Sequence, residues 1–84
     1  MAKLHKKIVS VLRRDLKNFQ DALEDLPGGR VSGVIISSTF ESMTHQLRQK
    51  KLSEILSGNL TDDEYAAVGA IATLTPAEVS LKAN

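Results

Sequence analysis

Apolar residues near the start of the chain recur at the spacing of an amphipathic helix. They are three or four positions apart, which places them on one face of a helix that turns about 100° per residue. The residues of this face are Leu4, Ile8, Val11, Leu12 and Leu16. Most lysines and arginines of the segment lie off this face. The pattern therefore predicts a first helix over about residues 3–16.

Residues 19–26 fit two structures. Phe19, Leu23 and Leu26 continue the helical spacing, and alanine, leucine and glutamate favour helices. The segment could instead form a short strand that pairs with the next one. The sequence PGG that follows ends either structure, because proline interrupts backbone hydrogen bonding and glycine accepts positive φ in a tight turn.

Two β-branched stretches predict strands. In the first, over about residues 30–37, the run Val34–Ile36 is β-branched throughout, a composition typical of strands. Gly33 indicates a bulge or a close approach of another backbone. The second stretch is AAVGAIATLT at residues 66–75. Its small apolar residues show no helical polar face, so we expect a final strand there.

Three serine or threonine residues are each followed three positions later by glutamate, as in a helix capping box. The pairs are Ser38–Glu41, Thr61–Glu64 and Thr75–Glu78. We expect the first pair to begin a helix that runs to about Leu56, with Gly58 as its left-handed C-terminal cap. The second is expected to begin a short turn near residues 62–66. The third is expected to begin a terminal turn or helix over residues 76–84, with Pro76 at its first position.

Helices and strands in this order predict an α+β fold with a small antiparallel or mixed sheet and helices on one face. The chain has 84 residues, of which 42% are hydrophobic and 25% charged. This length and composition are typical of one globular domain, over residues 1–84.

The composition excludes several chemistries. The absence of cysteine excludes disulfides, thiolate catalysis and metal centres held by thiolates of this chain. His5 and His45 are not at a metal-binding spacing, so we expect no metal and no cofactor. No run approaches the ~18 apolar residues of a membrane span. Because charged residues at 13–15 interrupt any signal-peptide core, we expect a complete, cytoplasmic chain that does not enter a membrane.

The net charge of +1 is unevenly distributed. Residues 1–18 carry a net charge of +5 and residues 30–52 of +3, whereas residues 19–29 and 53–84 are net acidic. Lysine and arginine clusters of this kind contact phosphates in nucleic-acid-binding proteins. The candidate nucleic-acid-binding residues are Lys3, Lys6, Lys7, Arg13, Arg14, Arg48, Lys50 and Lys51. For Arg48 and Lys51 a second interpretation stays open, in which the stems lie along the edge of the core and the charges remain in water.

No motif predicts catalysis. A nucleophilic serine or threonine needs a positioned base, and no such pair is indicated. The acids of TDDE fit a helix N-terminus, where negative charge is favoured. His45 is interpreted as a surface or partly buried residue, and neither His45 nor His5 is expected to have a chemical role. Phe40 is interpreted as a core anchor, since three aromatic residues are too few for a base-stacking surface. We expect no enzymatic activity.

The order of several short motifs resembles the BolA family. DLPGG precedes a strand, VIISSTF ends that strand, an arginine lies eight residues after Phe40, and TLTPAE closes the last strand. The resemblance covers about residues 8–79. It implies the order α-β-β-α-β-α with a three-stranded mixed sheet, related to type II KH domains. It also makes the stretch near residues 20–26 the first strand.

The chain departs from the family where family members bind a cluster. The family's R-H-R is Arg48, Gln49 and Lys50 here, the glycine of F-x-G is Ser42, and the last strand has no histidine. In the family, that histidine and a second ligand in the hairpin loop hold a [2Fe–2S] cluster with a monothiol glutaredoxin. Both ligands are missing, so the resemblance does not imply this activity. The GxxG clamp of KH domains is also absent from GGRVSG.

Two functions of different classes remain. The first is a BolA-like, stress-related transcription regulator that binds nucleic acid weakly through its basic helices. The second is an adaptor that docks on a monothiol glutaredoxin or another protein through the second helix and the sheet edge, without supplying iron–sulfur ligands. The separated basic and acidic segments permit head-to-tail self-association, so we expect a monomer or a weak homodimer.

Overall fold

A computed structural model describes the backbone of residues 3–83 and the side chains of residues 3–80. The fold is α+β, as the sequence predicts. Its elements are α1 (Lys3–Asp15), β1 (Gln20–Leu26), β2 (Arg30–Ile36), a 3₁₀ turn (Ser38–Phe40), α2 (His45–Asn59), α3 (Asp62–Ala66), β3 (Val68–Leu74) and α4 (Pro76–Ala83). The predicted end of the last helix at Asn84 lies outside the described residues.

The three strands form one mixed sheet in the order β1-β2-β3. β1 pairs with β2 in the antiparallel direction, and β3 pairs with β2 in parallel. β2 is the central strand, and its β-branched run is buried on the face toward the helices at Ile35 and half-buried on the other face at Val34 and Ile36.

Residues 20–26 form a strand, the structure that the resemblance implies for this segment. Local propensity leaves helix and strand open here, and the adjacent turn favours the strand. Gly28 and Gly29 have φ of +83° and +77°, so the chain reverses tightly. The reversal pairs Leu26 with Arg30 and continues to the pair of Gln20 with Ile36.

Gly33 marks a close backbone approach, as its position within a strand predicts. Its φ is +139°, and a Cβ at this position would overlap the carbonyl oxygen of Ala22 and lie 2.9 Å from the Cα of Leu23. The register between β2 and β3 also shifts between Val31 and Gly33. Glycine is therefore required where β2 adjusts to both neighbouring strands.

The helix predicted to begin at Ser38 begins at His45 instead, so the interpretation of Ser38–Glu41 as a capping box is wrong. The Ser38 hydroxyl accepts a hydrogen bond from the Asn18 side chain at 2.9 Å, and Ser37 Oγ donates to the Lys17 carbonyl at 2.6 Å. These bonds hold the loop after α1, and Ser37, not Ser38, caps the short 3₁₀ turn by accepting from the backbone N–H of Thr39. The Thr44 hydroxyl caps α2 by accepting from the backbone N–H of Leu47.

Gly58 is not the left-handed cap of α2, which is a second correction. The helix continues to Asn59 and ends at Leu60, whose backbone is extended. The Asn59 side chain donates to the Ile55 carbonyl at 2.7 Å and Leu60 N–H donates to the Leu56 carbonyl. These two bonds satisfy carbonyls of the last turn, so a glycine cap is not needed.

The other two capping boxes are confirmed. Thr61 and Glu64 exchange hydrogen bonds at the start of α3, which makes a short helix of the turn predicted there. Thr75 and Glu78 do the same at the start of α4, with Pro76 at the first helical position.

The core lies between the helices and one face of the sheet. The sheet contributes Leu23, Val31, Ile35 and Ile71, and Phe40 is fully buried beside them, which confirms its interpretation as a core anchor. The helices contribute Ile8, Val9, Leu12, Leu16, Leu52 and Leu56. Alternating side chains of a strand point to opposite faces, and the opposite face of this sheet carries the aligned row Ala22, Val34 and Ala72. This row is exposed or half-buried.

Candidate nucleic-acid interface

The exposed face of α1 is basic along its whole length. The apolar stripe of this helix faces the core, which turns the remaining positions outward. Helix α1 has no acidic residue before Asp15. The residues that share the outward face are Lys3, Lys6, Lys7, Ser10, Arg13, Arg14 and, just beyond the helix, Lys17. At 3.6 residues and about 5.4 Å per turn, a cation occurs in almost every turn.

Two of these cations have partners on the same molecule. Lys7 Nζ lies 2.8 Å from Glu64 Oε1 at the start of α3. Arg14 donates to Asn59 Oδ1 at 2.9 Å and to Asp15 Oδ1 at 3.3 Å. The hydrogen bond from Lys7 lowers the pKa of Glu64, and the backbone N–H of Thr61 lowers it further.

The other predicted residues of α1 keep their charges free of carboxylates. Lys3 and Lys6 form no ion pair with any residue that the structure describes. The guanidinium of Arg13 lies 5.9 Å from the centre of the Phe19 ring, within the range of a cation–π contact. This contact orients Arg13 without neutralising it.

Arg48 does not reach the surface. Its side chain is 7% exposed, and both its stem and its charged group are buried, so neither sequence interpretation of this residue describes it. Nε donates to the Met43 carbonyl at 3.0 Å. Nη1 donates to the Thr73 carbonyl at 3.4 Å and to Glu78 Oε1 at 2.8 Å. Arg48 therefore joins the start of α2, the end of β3 and the start of α4, and it cannot contact a phosphate from this position.

The ion pair with Arg48 changes the acidity of Glu78. The hydrogen bond from the guanidinium lowers the pKa of Glu78 from 4.5 to about 2, and the backbone N–H of Thr75 adds to this effect. Glu78 thus serves two functions, because the same carboxylate completes the capping box of α4. It remains ionised at neutral pH.

The residues of the basic cluster predicted on α2 do not form one surface. Arg48 points inward, and Gln49 donates to the Ile71 carbonyl of β3 at 3.0 Å. Lys50 is exposed and Lys51 is half-buried. No described contact joins these two lysines to the cations of α1. The sequence-predicted residues thus form one continuous basic face on α1 and a separate lysine pair on α2.

Ser10 and Lys17 belong to the basic face of α1 but are missing from the residues predicted from the charge clusters. A helical projection at 100° per residue places Ser10 between Lys6 and Arg14. The count of charges over residues 1–18 already includes Lys17, whereas only the helical periodicity places Ser10 on this face.

The two histidines differ in their surroundings. His5 is buried, with Nδ1 3.2 Å from Asp25 Oδ1 and Nε2 3.7 Å from Asp21 Oδ2. These contacts join α1 to β1. His45 is exposed at the first position of α2. Among the described residues, no group of three or more histidine, aspartate or glutamate side chains is arranged to hold a metal ion.

A crevice of about 250 Å³ lies between α2, α3 and β3. Its polar rim includes the hydroxyls of Ser53 and Tyr65, which are hydrogen-bonded at 2.7 Å, and no charged side chain lines it. The segment Val68–Ala70 forms the β3 side of the crevice. This is where the BolA resemblance places a ligand histidine, and the side chains present supply no metal ligand.

Comparison of the chain with protein-family models, with curated proteins and with solved structures finds no match. Within residues 3–83, no helix is both long enough and apolar enough to cross a membrane.

Proposed function

We propose that this protein is a BolA-like regulatory protein that binds nucleic acid through the exposed face of α1. The observation that carries the proposal is the continuity of that face, where Lys3, Lys6 and Arg13 are not paired with any described carboxylate. The buried stripe fixes the rotation of the helix, so its cations point outward together. A role in transcription and in the stress response is proposed from the resemblance of the motifs alone.

The proposed binding is electrostatic and independent of base sequence. Lysine and arginine on one helix face neutralise backbone phosphates and release counterions, so the logarithm of the affinity falls linearly with the logarithm of the salt concentration, by about 0.9 per phosphate on duplex DNA. The residues that share the face include no amide or carboxylate side chain, and its lysines and arginines are proposed to contact phosphates and not guanine edges. Affinity therefore depends on salt and hardly on sequence.

The test compares two double charge reversals that change the net charge equally. Lys6→Glu with Arg13→Glu alters the face of α1, and Lys50→Glu with Lys51→Glu alters the lysine pair on α2. Fluorescence anisotropy with labelled duplex and single-stranded DNA at two salt concentrations gives the affinities. We expect the α1 variant to lose about tenfold or more in affinity and to show a salt slope smaller by about 2, with a smaller loss for the α2 variant. Equal losses, or no binding by the unaltered protein at low salt, would reject the proposal.

A second candidate function is docking on another protein, such as a monothiol glutaredoxin, without cluster ligation. The observation that favours it is the apolar row of Ala22, Val34 and Ala72 on the sheet face opposite the helices. The edge of β3 is a less suitable surface, because Arg48 and Gln49 already bond its carbonyls. Titration of isotopically labelled protein with a glutaredoxin should shift the amide signals of the row. Shifts confined to other surfaces, or none, would reject this candidate.

A further inference from the structure

Ser10 lies at the centre of the basic face and differs from its neighbours in size. Lys6 is four residues before it, and Arg13 and Arg14 are three and four residues after it. On a helix these positions are adjacent, with Cβ atoms about 5–6 Å apart. Three long cationic side chains therefore surround one short hydroxyl side chain.

The short side chain leaves an open depression in the helix surface. Its volume is about 500 Å³, and the residues that line it are Lys6, Val9, Ser10, Arg13 and Arg14. Val9 is buried and forms the apolar floor. No described residue forms a hydrogen bond with the Ser10 hydroxyl, so that hydroxyl is available as a donor inside the ring of cations.

We propose that this depression is the binding site for one backbone phosphate of the bound nucleic acid, which is held by Ser10, Lys6 and Arg13. This inference rests on the proposed function and adds which atoms recognise the ligand. The ammonium of Lys6 and the guanidinium of Arg13 form charge-assisted hydrogen bonds with the phosphate oxygens, and the Ser10 hydroxyl donates a further one. The ligand group is a phosphodiester, with no contribution from the bases.

The observations favour a phosphate over a carboxylate at this position. A phosphodiester shares one negative charge between two non-bridging oxygens of a tetrahedral group, which can accept from donors in several directions at once, and Arg13 supplies a planar donor fork that suits it. The donors come from adjacent turns, so one phosphate can contact all three side chains.

The experiment alters the phosphate site without removing a cation. Ser10→Glu places a negative charge at the centre of the ring, and Ser10→Leu fills the depression with an uncharged side chain. The matched controls are Ser57→Glu and Ser57→Leu, because Ser57 is also an exposed helical serine but lies on α2. Circular dichroism and thermal unfolding confirm that each variant is folded, and anisotropy with labelled DNA at low salt measures binding.

We expect Ser10→Glu to weaken binding about tenfold or more and Ser10→Leu about threefold to tenfold, with both Ser57 variants within about threefold of the unaltered protein. An oligonucleotide with uncharged methylphosphonate linkages should bind poorly. If Ser10 variants bind like their Ser57 counterparts, the phosphate site is wrong while the nucleic-acid function stands. If the uncharged oligonucleotide binds normally, both the phosphate site and the electrostatic mode of the proposed function are wrong. If the unaltered protein binds no DNA, the proposed function itself is wrong.

Discussion

At the scale of single residues, Arg48 has the largest structural role among the residues first considered for phosphate binding. Its guanidinium contacts two backbone carbonyls and one carboxylate, which belong to the loop before α2, to β3 and to α4. The charge pattern of the sequence cannot reveal this internal role, because an arginine followed closely by two lysines is interpreted as part of a basic surface cluster. Arg48 can be buried with its charge because Glu78, thirty residues later in the chain, lies beside it in the fold and pairs with it.

Replacing Arg48 with methionine should lower the free energy of unfolding by roughly 2–4 kcal/mol. The substitution keeps much of the apolar stem but leaves a carboxylate and two carbonyls without their donor, and removal of one partner of a buried charge pair is costly. The control is Lys50→Met on the exposed side of the same helix, which should change stability by less than about 0.5 kcal/mol. Urea denaturation measures both. Equal effects would contradict the structural role of Arg48.

The lowered pKa of Glu78 makes a prediction about pH. A group whose pKa falls on folding stabilises the folded state above its ordinary pKa, and this stabilisation is lost as the pH falls through the folded value. For Glu78 these values are 4.5 and about 2. In Glu78→Gln the amide oxygen can still complete the capping box, but the charge is gone. The difference in stability between the two proteins should be constant above about pH 5 and disappear towards pH 2. A difference independent of pH would contradict the ion pair.

At the scale of elements, the sequence predicts the strands better than the start of α2. The turn of Pro27–Gly29 and the β-branched run of β2 are local signals, and both describe the structure correctly. The first capping box fails because Ser37 and Ser38 bond the loop after α1, some 20 residues away. Such a competing partner has no local signature. The hydroxyls of Thr61 and Thr75 have no other described partner, so these two boxes form as predicted.

Gly33 and Gly58 provide a matched pair of substitutions to alanine. At Gly33 the positive φ and the contact with the Ala22 carbonyl leave no room for a Cβ, so Gly33→Ala should lower the free energy of unfolding by roughly 2–4 kcal/mol. At Gly58, in the last turn of α2, nothing lies within 4 Å of an added Cβ. Gly58→Ala should therefore raise stability by about 0.5–1 kcal/mol. Thermal and urea unfolding measure both, and loss of stability at Gly58 would mean that α2 ends earlier.

At the scale of the whole molecule, the uneven charge of the sequence is partly neutralised by the fold. The basic first segment and the acidic last segment meet where Lys7 contacts Glu64, 57 positions apart in the chain. The sequence therefore predicts that α1 is basic, but it cannot predict which of its cations are already paired. Lys6 and Arg13 have no described anionic partner and can contact an external ligand. Lys7 and Arg14 are instead held by Glu64 and Asn59.

Release of Lys7 from Glu64 should strengthen binding of nucleic acid. In Glu64→Gln the amide oxygen can still accept from Thr61 and keep the capping box of α3, but Lys7 loses its anionic partner and gains freedom to contact a phosphate. The control is Glu54→Gln, which changes the net charge equally on the exposed side of α2. We expect DNA affinity at low salt to rise about twofold to fourfold for Glu64→Gln and its salt slope to increase by up to about 1, with a smaller rise and an unchanged slope for Glu54→Gln. Equal changes in the two variants would mean that only net charge matters, and that the ion pair does not hold Lys7 away from the ligand.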